Sequence, residues 1–298
     1  MNKDIKTGLW LGTLGVVIFA LTLPMTRIAV GTPQAPQMSG VFVATGRAVV
    51  AALLSLPFLW FTRAPWPRRQ DWLPLCVVAL GVVFGFPLFT SIAMRHVEAV
   101  HASVMVGVLP LATAAVGAYL HQQRPSAGFW WCAIFGTALV VTFAVLHSGQ
   151  TGLYLQRADL LLLAGMACAA MGYGWGARLS GVMRAEHVIC WALLLTLPIN
   201  LALSAAQWPQ TPIEPVAWWA FAYVAVFSMW LGFFAWYRGL ALGGTVRVSQ
   251  LQLIQPFLSM LFAVPLLGES LDSVTVGFGL AVIAVVFVGR KMPVSTTR

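Results

Sequence analysis

Charge is scarce in this chain. Its 298 residues include 17 Lys and Arg and 8 Asp and Glu, or 8%, where a soluble domain averages about 25%. That shortage excludes an ordinary soluble enzyme, a disordered chain and a nucleic-acid-binding protein. Lysine is nearly absent, at Lys3, Lys6 and Lys291 only. No G-x-x-x-x-G-K-[ST] phosphate loop exists, so this chain alone does not hydrolyse ATP. Cysteine is sparse as well. Cys76, Cys132, Cys168 and Cys190 fall in apolar runs without zinc or redox spacing and read as small packing residues. H-E-x-x-H, G-x-S-x-G and acidic metal clusters are all missing, which argues against an intramembrane protease or lipid transferase. No metal, cofactor or enzyme activity is expected.

What fills the chain is apolar. Sixty per cent of it is hydrophobic, and the mean hydropathy is +0.86. The apolar runs are continuous rather than alternating, so they read as membrane helices and not barrel strands. A span needs about 20 mostly apolar residues. Ten are expected, at 8–30, 39–61, 72–94, 99–121, 127–147, 158–180, 187–207, 216–242, 245–267 and 273–290. Turn chemistry separates them, as in Gly31-Thr32-Pro33, Arg63-Ala64-Pro65, Gln207-Trp208-Pro209 and Gly243-Gly244. The first run continues to about Val30 with no small-x-small site close behind it, so it reads as a retained helix, not a signal peptide.

Basic residues orient the spans. With the N-terminus inside, alternate segments hold Arg63, Arg68 and Arg69; Arg124; Arg178 and Arg184; Arg238 and Arg247; and Arg290, Lys291 and Arg298. The other side holds Arg27, Arg95 and Arg157. The positive-inside rule, with an even helix count, then places both termini in the cytoplasm; the expected location is a bacterial inner (plasma) membrane. The net charge of +9 is that bias.

The halves resemble each other. Pro110 sits within one apolar run with Gln123 thirteen residues on. Pro256 sits within another with Glu269 thirteen residues on. The expected division is 1–150 and 151–298. Five spans per half is odd, so the second repeat must be inverted, an arrangement belonging to secondary transporters. The run Leu240-Ala241-Leu242…Leu253-Ile254-Gln255-Pro256…Leu267-Gly268-Glu269-Ser270-Leu271 resembles the EamA repeat of the drug/metabolite transporter superfamily. Arg47 matches a recurrent arginine of the first repeat, and Trp175 a frequent tryptophan of the second. The first half departs from the pattern, with Gln122-Gln123 in place of Gly-Glu. The resemblance implies ten helices, cytoplasmic termini and export of small metabolites. Within the superfamily the chain looks most like the aromatic amino acid exporters.

Several residues could carry transport. Ion coupling usually needs a carboxylate within the membrane. The acids, Asp4, Asp71, Glu98, Asp159, Glu186, Glu214, Glu269 and Asp272, all fall in tails, loops or span ends. A buried carboxylate relay is therefore not expected. His101 is the candidate proton-linked group, with an interfacial hydrogen bond as the alternative. Ser249, Gln252, Pro256 and Ser259, with Gln255 adjacent, recur at helical spacing on span 9 and should face protein or a cavity. Ser103, Gly107 and Pro110 do the same on span 4. The two prolines free backbone carbonyls and mark hinges beside the substrate path. Tyr173, Trp175, Trp230, Trp236 and Tyr237 lie deep and could line an aromatic-friendly cavity or simply pack. Arg47 could grip a substrate carboxylate or serve helix structure.

The expectation is an all-α integral membrane protein of ten helices in two inverted repeats. It would export amino acids, aromatic and other neutral ones, with broad specificity by alternating access, as facilitated diffusion or exchange. The partners are the bilayer and a small substrate; a monomer is compatible with this. An exporter of lipophilic drugs is the main alternative. A channel would want charged or carbonyl rings, which the sequence does not show.

Overall fold

In a bilayer the backbone has no water to bond, so apolar segments close their hydrogen bonds as helices. The computed structural model describes residues 3–120, 123–146, 157–243, 248, 250–289, 292 and 294–296. It is all-α apart from one short ribbon. The chain opens with α1 (Lys3–Ala20), α2 (Thr22–Val30) and α3 (Gly40–Phe61). A π-helical segment, Ala79–Gly85, joins α4 (Trp72–Val78) to α5 (Phe86–Ala93). Next come α6 (Ala99–Val106), α7 (Leu109–Leu120), α8 (Ala127–Leu146), α9 (Arg157–Leu179) and α10 (Ala185–Ala206). A second π-helical segment, Val224–Leu231, joins α11 (Pro215–Tyr223) to α12 (Gly232–Gly243). A 3-10 turn, Gln250–Ile254, leads into α13 (Gln255–Leu267), followed by α14 (Ser273–Gly289). In the ribbon, β1 (Gln123–Pro125) lies antiparallel to β2 (Val294–Thr296).

Among the described residues, seven helical stretches are long and apolar enough to cross a membrane. They are Asp4–Val30, Gly40–Phe61, Arg69–Ala93, Ala99–Gly117, Arg157–Leu179, Ala185–Ala206 and Pro215–Gly243. Each lies at an expected span. The fifth expected place holds α8, and the last two hold the shorter apolar helices Gln255–Leu267 and Ser273–Val285. Trp60, Trp66, Trp131 and Trp219 are exposed on the bundle surface, as rings bound for lipid should be. Gln122, Gly244, Arg247, Ser249, Arg290, Lys291, Arg298 and the proposed boundary at 150–151 lie outside the described residues.

Five spans that read as continuous are broken. Pro24 has no N–H for the Ala20 carbonyl, and α1 stops at Ala20. Ser259 Oγ donates to that carbonyl at 2.7 Å, and Tyr223 OH donates to the Ile18 carbonyl at 3.1 Å. Pro110 likewise gives nothing to Val106, where α6 ends. Pro110 and Pro256 are each the second residue of a new helix, α7 and α13, rather than kinks inside one helix. That is where a proline costs least, because its missing N–H has no partner there. The two π-helical segments break the third and eighth expected spans.

Glycine sets the closest helix pairing. A Cβ on Gly8 would strike the Gly243 backbone, and one on Gly239 would lie 2.8 Å from the Gly12 nitrogen. Gly8 and Gly12 on α1 thus face Gly239 and Gly243 on α12. In lipid this packing replaces the hydrophobic drive of soluble cores.

Candidate functional site

The broken helices converge on one cavity. Phe19 and Thr22 flank the α1–α2 break, Val106 and Leu109 flank the α6–α7 break, and Gln255 opens α13. Phe86 follows the first π-helical segment, and Ser228 lies within the second. Arg47, Tyr173 and Phe233 complete the lining. Helix interruptions loosen the backbone ladder, and buried π turns recur at functional sites. The space open to water centres is about 10 Å³, roughly one water. The cavity is therefore too small for a metabolite in this conformation.

Arg47 dominates the cavity chemically. It is 1% exposed. Its Nη2 donates to Ser228 Oγ at 3.4 Å, and Ser228 Oγ lies 2.8 Å from Thr22 Oγ1. Among the described residues, Nε and Nη1 of Arg47 have no hydrogen-bond partner, and neither does Gln255 Oε1. A charged group with unused donors is costly so deep. The walls are aromatic, with Phe19 and Phe233 edge-to-face at 5.1 Å.

The structure brings Arg47, Tyr173 and Gln255 together and places the other candidates elsewhere. Ser103 Oγ donates to the Ala99 carbonyl of its own helix. Trp175 is half-buried beneath the Arg178 guanidinium, 5.2 Å above its ring. Trp236 packs behind the wall, 6.3 Å from Phe19 and 6.1 Å from Tyr173. Tyr237 is buried and donates to the Gly172 carbonyl at 3.2 Å, a fit that requires glycine at Gly176. Gln252 is buried away from the cavity lining, with both amide atoms unpartnered. Thr22 and Ser228 were not legible as site residues. Hydroxyls in apolar helices usually bond their own backbone, and only the fold shows that these do otherwise.

Acids matter more than their positions suggested. Asp159 begins α9 but is 1% exposed, and its Oδ1 lies 2.7 Å from His101 Nε2. A buried carboxylate therefore does exist within the bundle, because the first turn of α9 packs against α6 instead of facing solvent. Glu269 also has a defined task. Gly268 ends α13 in the left-handed conformation at φ 67°, which glycine adopts without strain. The turn carries Glu269 to α6, where its two oxygens accept from Ala99 N at 2.8 Å and Val100 N at 2.7 Å. Burial pushes this carboxyl above its ordinary value, and the two N–H bonds pull it part of the way back. Nearby, Arg95 donates to the Val30 carbonyl at 3.0 Å and also to the Met38 carbonyl. Arg27 donates to the Met94 carbonyl. These bonds tie one end of the bundle together. Elsewhere, Arg238 pairs with Glu186 at 2.8 Å.

Comparison with known proteins adds an independent result. The model of the EamA-like transporter family matches residues 6–145 and again 156–290. The chain belongs to the EamA-like transporter family. It is 40% identical over 294 residues to the uncharacterized transporter YdeK of Bacillus subtilis (strain 168), covering 98% of this chain and 99% of that one. It is 26% identical over 309 residues to the inner membrane protein YtfF of Escherichia coli (strain K12), covering 93% and 95%. One solved crystal structure superposes with a TM-score of 0.66 at 15% identity, covering 93% of this chain and 95% of its own. That likeness concerns the fold.

Proposed function

We propose that this EamA-like protein is a secondary transporter that exports small metabolites, amino acids foremost, by alternating access. The observation that carries the reading is the contracted cavity at the helix breaks, with the Arg47 guanidinium unsatisfied inside it. Interrupted helices around a buried polar site are what a rocking bundle needs. Ten helices in two inverted repeats suit this reading. The family model matches twice, and a π-helical segment interrupts the third expected span of each half. In this arrangement both termini lie in the cytoplasm of the inner membrane, and the Glu269–α6 contact lies at the outer end. Outer closure and a contracted cavity are then two aspects of one state. A monomer suffices for the cycle.

Efflux from liposomes tests the proposal. Purified full-length protein is reconstituted, and vesicles are loaded with single labelled amino acids, with and without a pH gradient. Saturable efflux of several neutral or aromatic amino acids is expected, indifferent to the gradient. No efflux of any amino acid from folded protein would sink the substrate assignment and favour the export of lipophilic drugs, to which the phenylalanine walls are also suited.

A further inference from the structure

We infer that the cavity selects its substrate by the carboxylate and not by the amine, so that it takes apolar and aromatic monocarboxylates with or without an α-amino group. The inference rests on the transport reading above and narrows it.

The charge inside the cavity is one-sided. Arginine stays protonated in proteins. Among the described residues, Tyr173 is the other titratable group on the cavity lining, and no carboxylate lies there. Asp159, the deeply buried acid, is engaged with His101. Arg47 therefore presents a buried positive charge whose one hydrogen bond is long, 3.4 Å to Ser228. Its planar fork has spare donors on Nε and Nη1 and suits a two-oxygen acceptor.

An amine finds less. Val106, whose carbonyl Pro110 leaves unbonded, lines the cavity, and among the described residues the buried side-chain acceptor there without a partner is Gln255 Oε1, a neutral amide oxygen. It can accept one N–H but cannot offset a second positive charge beside Arg47. A zwitterion leaves the closed cavity with a net positive charge, whereas a monocarboxylate leaves it neutral. An amine without a carboxylate places two like charges in one apolar enclosure, so specificity against it comes from repulsion. Phe19, Phe86 and Phe233 supply the surface for an apolar or aromatic body.

The test uses full-length protein in liposomes and counterflow of labelled phenylalanine. Four unlabelled competitors are compared: phenylalanine, 3-phenylpropionate, phenylalaninamide and 2-phenylethylamine. A parallel measurement records how far each compound raises the Tm of the wild-type protein in detergent, so the result does not depend on a variant that folds. Phenylalanine and 3-phenylpropionate are expected to compete within about 10-fold of each other. The amide and the amine should be weaker by on the order of 100-fold, the scale of a charge-assisted pair. Arg47→Gln should erase the difference between acid and amide. Amide or amine competing as well as phenylalanine overturns the carboxylate assignment and leaves the transport reading intact. So does failure of 3-phenylpropionate where phenylalanine succeeds. Absence of phenylalanine counterflow together with absence of any Tm shift overturns the transport reading, and this inference with it.

Discussion

Glu269 caps a helix that does not belong to its own half of the chain. Its carboxylate accepts from the Ala99 and Val100 nitrogens at the start of α6, about 170 residues away. Those N–H groups have no intrahelical partners, and the carboxylate also meets the positive end of the helix dipole. The same side chain that ends the second-half motif thus fastens the first half.

Glu269→Ala removes both acceptors. It should lower stability by about 0.5–2 kcal/mol, the range for a lost N-cap. The variant should show a lower Tm in detergent than wild type. An unchanged Tm would show that the contact contributes nothing.

The glycine seam between α1 and α12 admits no side chain. Gly8→Ala would drive a methyl into the Gly243 backbone and should cost at least about 1–3 kcal/mol, as overpacking does. Gly117 in α7 has open space where a Cβ would lie. Gly117→Ala should be neutral or stabilise by up to about 1 kcal/mol. Monodispersity on size exclusion and Tm, compared between the two variants, decide this. Equal behaviour would mean that the seam is not close-packed.

Tyr237→Phe keeps the ring and removes the hydroxyl that donates to Gly172 at 3.2 Å. The expected loss is about 1 kcal/mol, read as a small drop in Tm with efflux retained. A large fall in efflux would instead place the hydroxyl on the substrate path.

The His101–Asp159 contact at 2.7 Å should behave as a coupled pair. His101→Gln and Asp159→Asn should each destabilise the protein. The double variant should be less harmed than the two losses added, with a coupling of about 0.5–3 kcal/mol. Strict additivity of the Tm changes would show that the side chains do not interact. If the pair also handles protons, the pH profile of efflux shifts in Asp159→Asn and not in Tyr237→Phe.

Much of the site was legible where a residue was chemically out of place. Arg47 stood out because a charge in an apolar run demands an explanation. Pro110 and Pro256 stood out because proline interrupts a helix wherever it occurs. Gln252 and Gln255 were equally visible, and the sequence alone did not separate them. Gln252 lies in the 3-10 turn Gln250–Ile254 and Gln255 opens α13, so the change of helix type between them separates Gln255, which lines the cavity, from Gln252, which does not. Ser103 read as a cavity residue because it shares a face with Pro110, yet its hydroxyl bonds its own helix.

Composition and the length of the apolar runs determined by themselves that this is a helical membrane protein, since lipid offers the backbone no other partner. The matching spacings of Pro110 to Gln123 and Pro256 to Glu269, with Gly268-Glu269 in the second half, determined the family resemblance. Only the tertiary structure decided which polar atoms meet. Thr22, Arg47 and Ser228 lie far apart in sequence, and their contact depends on the glycine seam, the helix breaks and the turn of each helix about its axis. Asp159 and His101, 58 residues apart, met for the same reason. Hydropathy is a property of each segment, whereas a binding site is a property of how segments are rotated against one another.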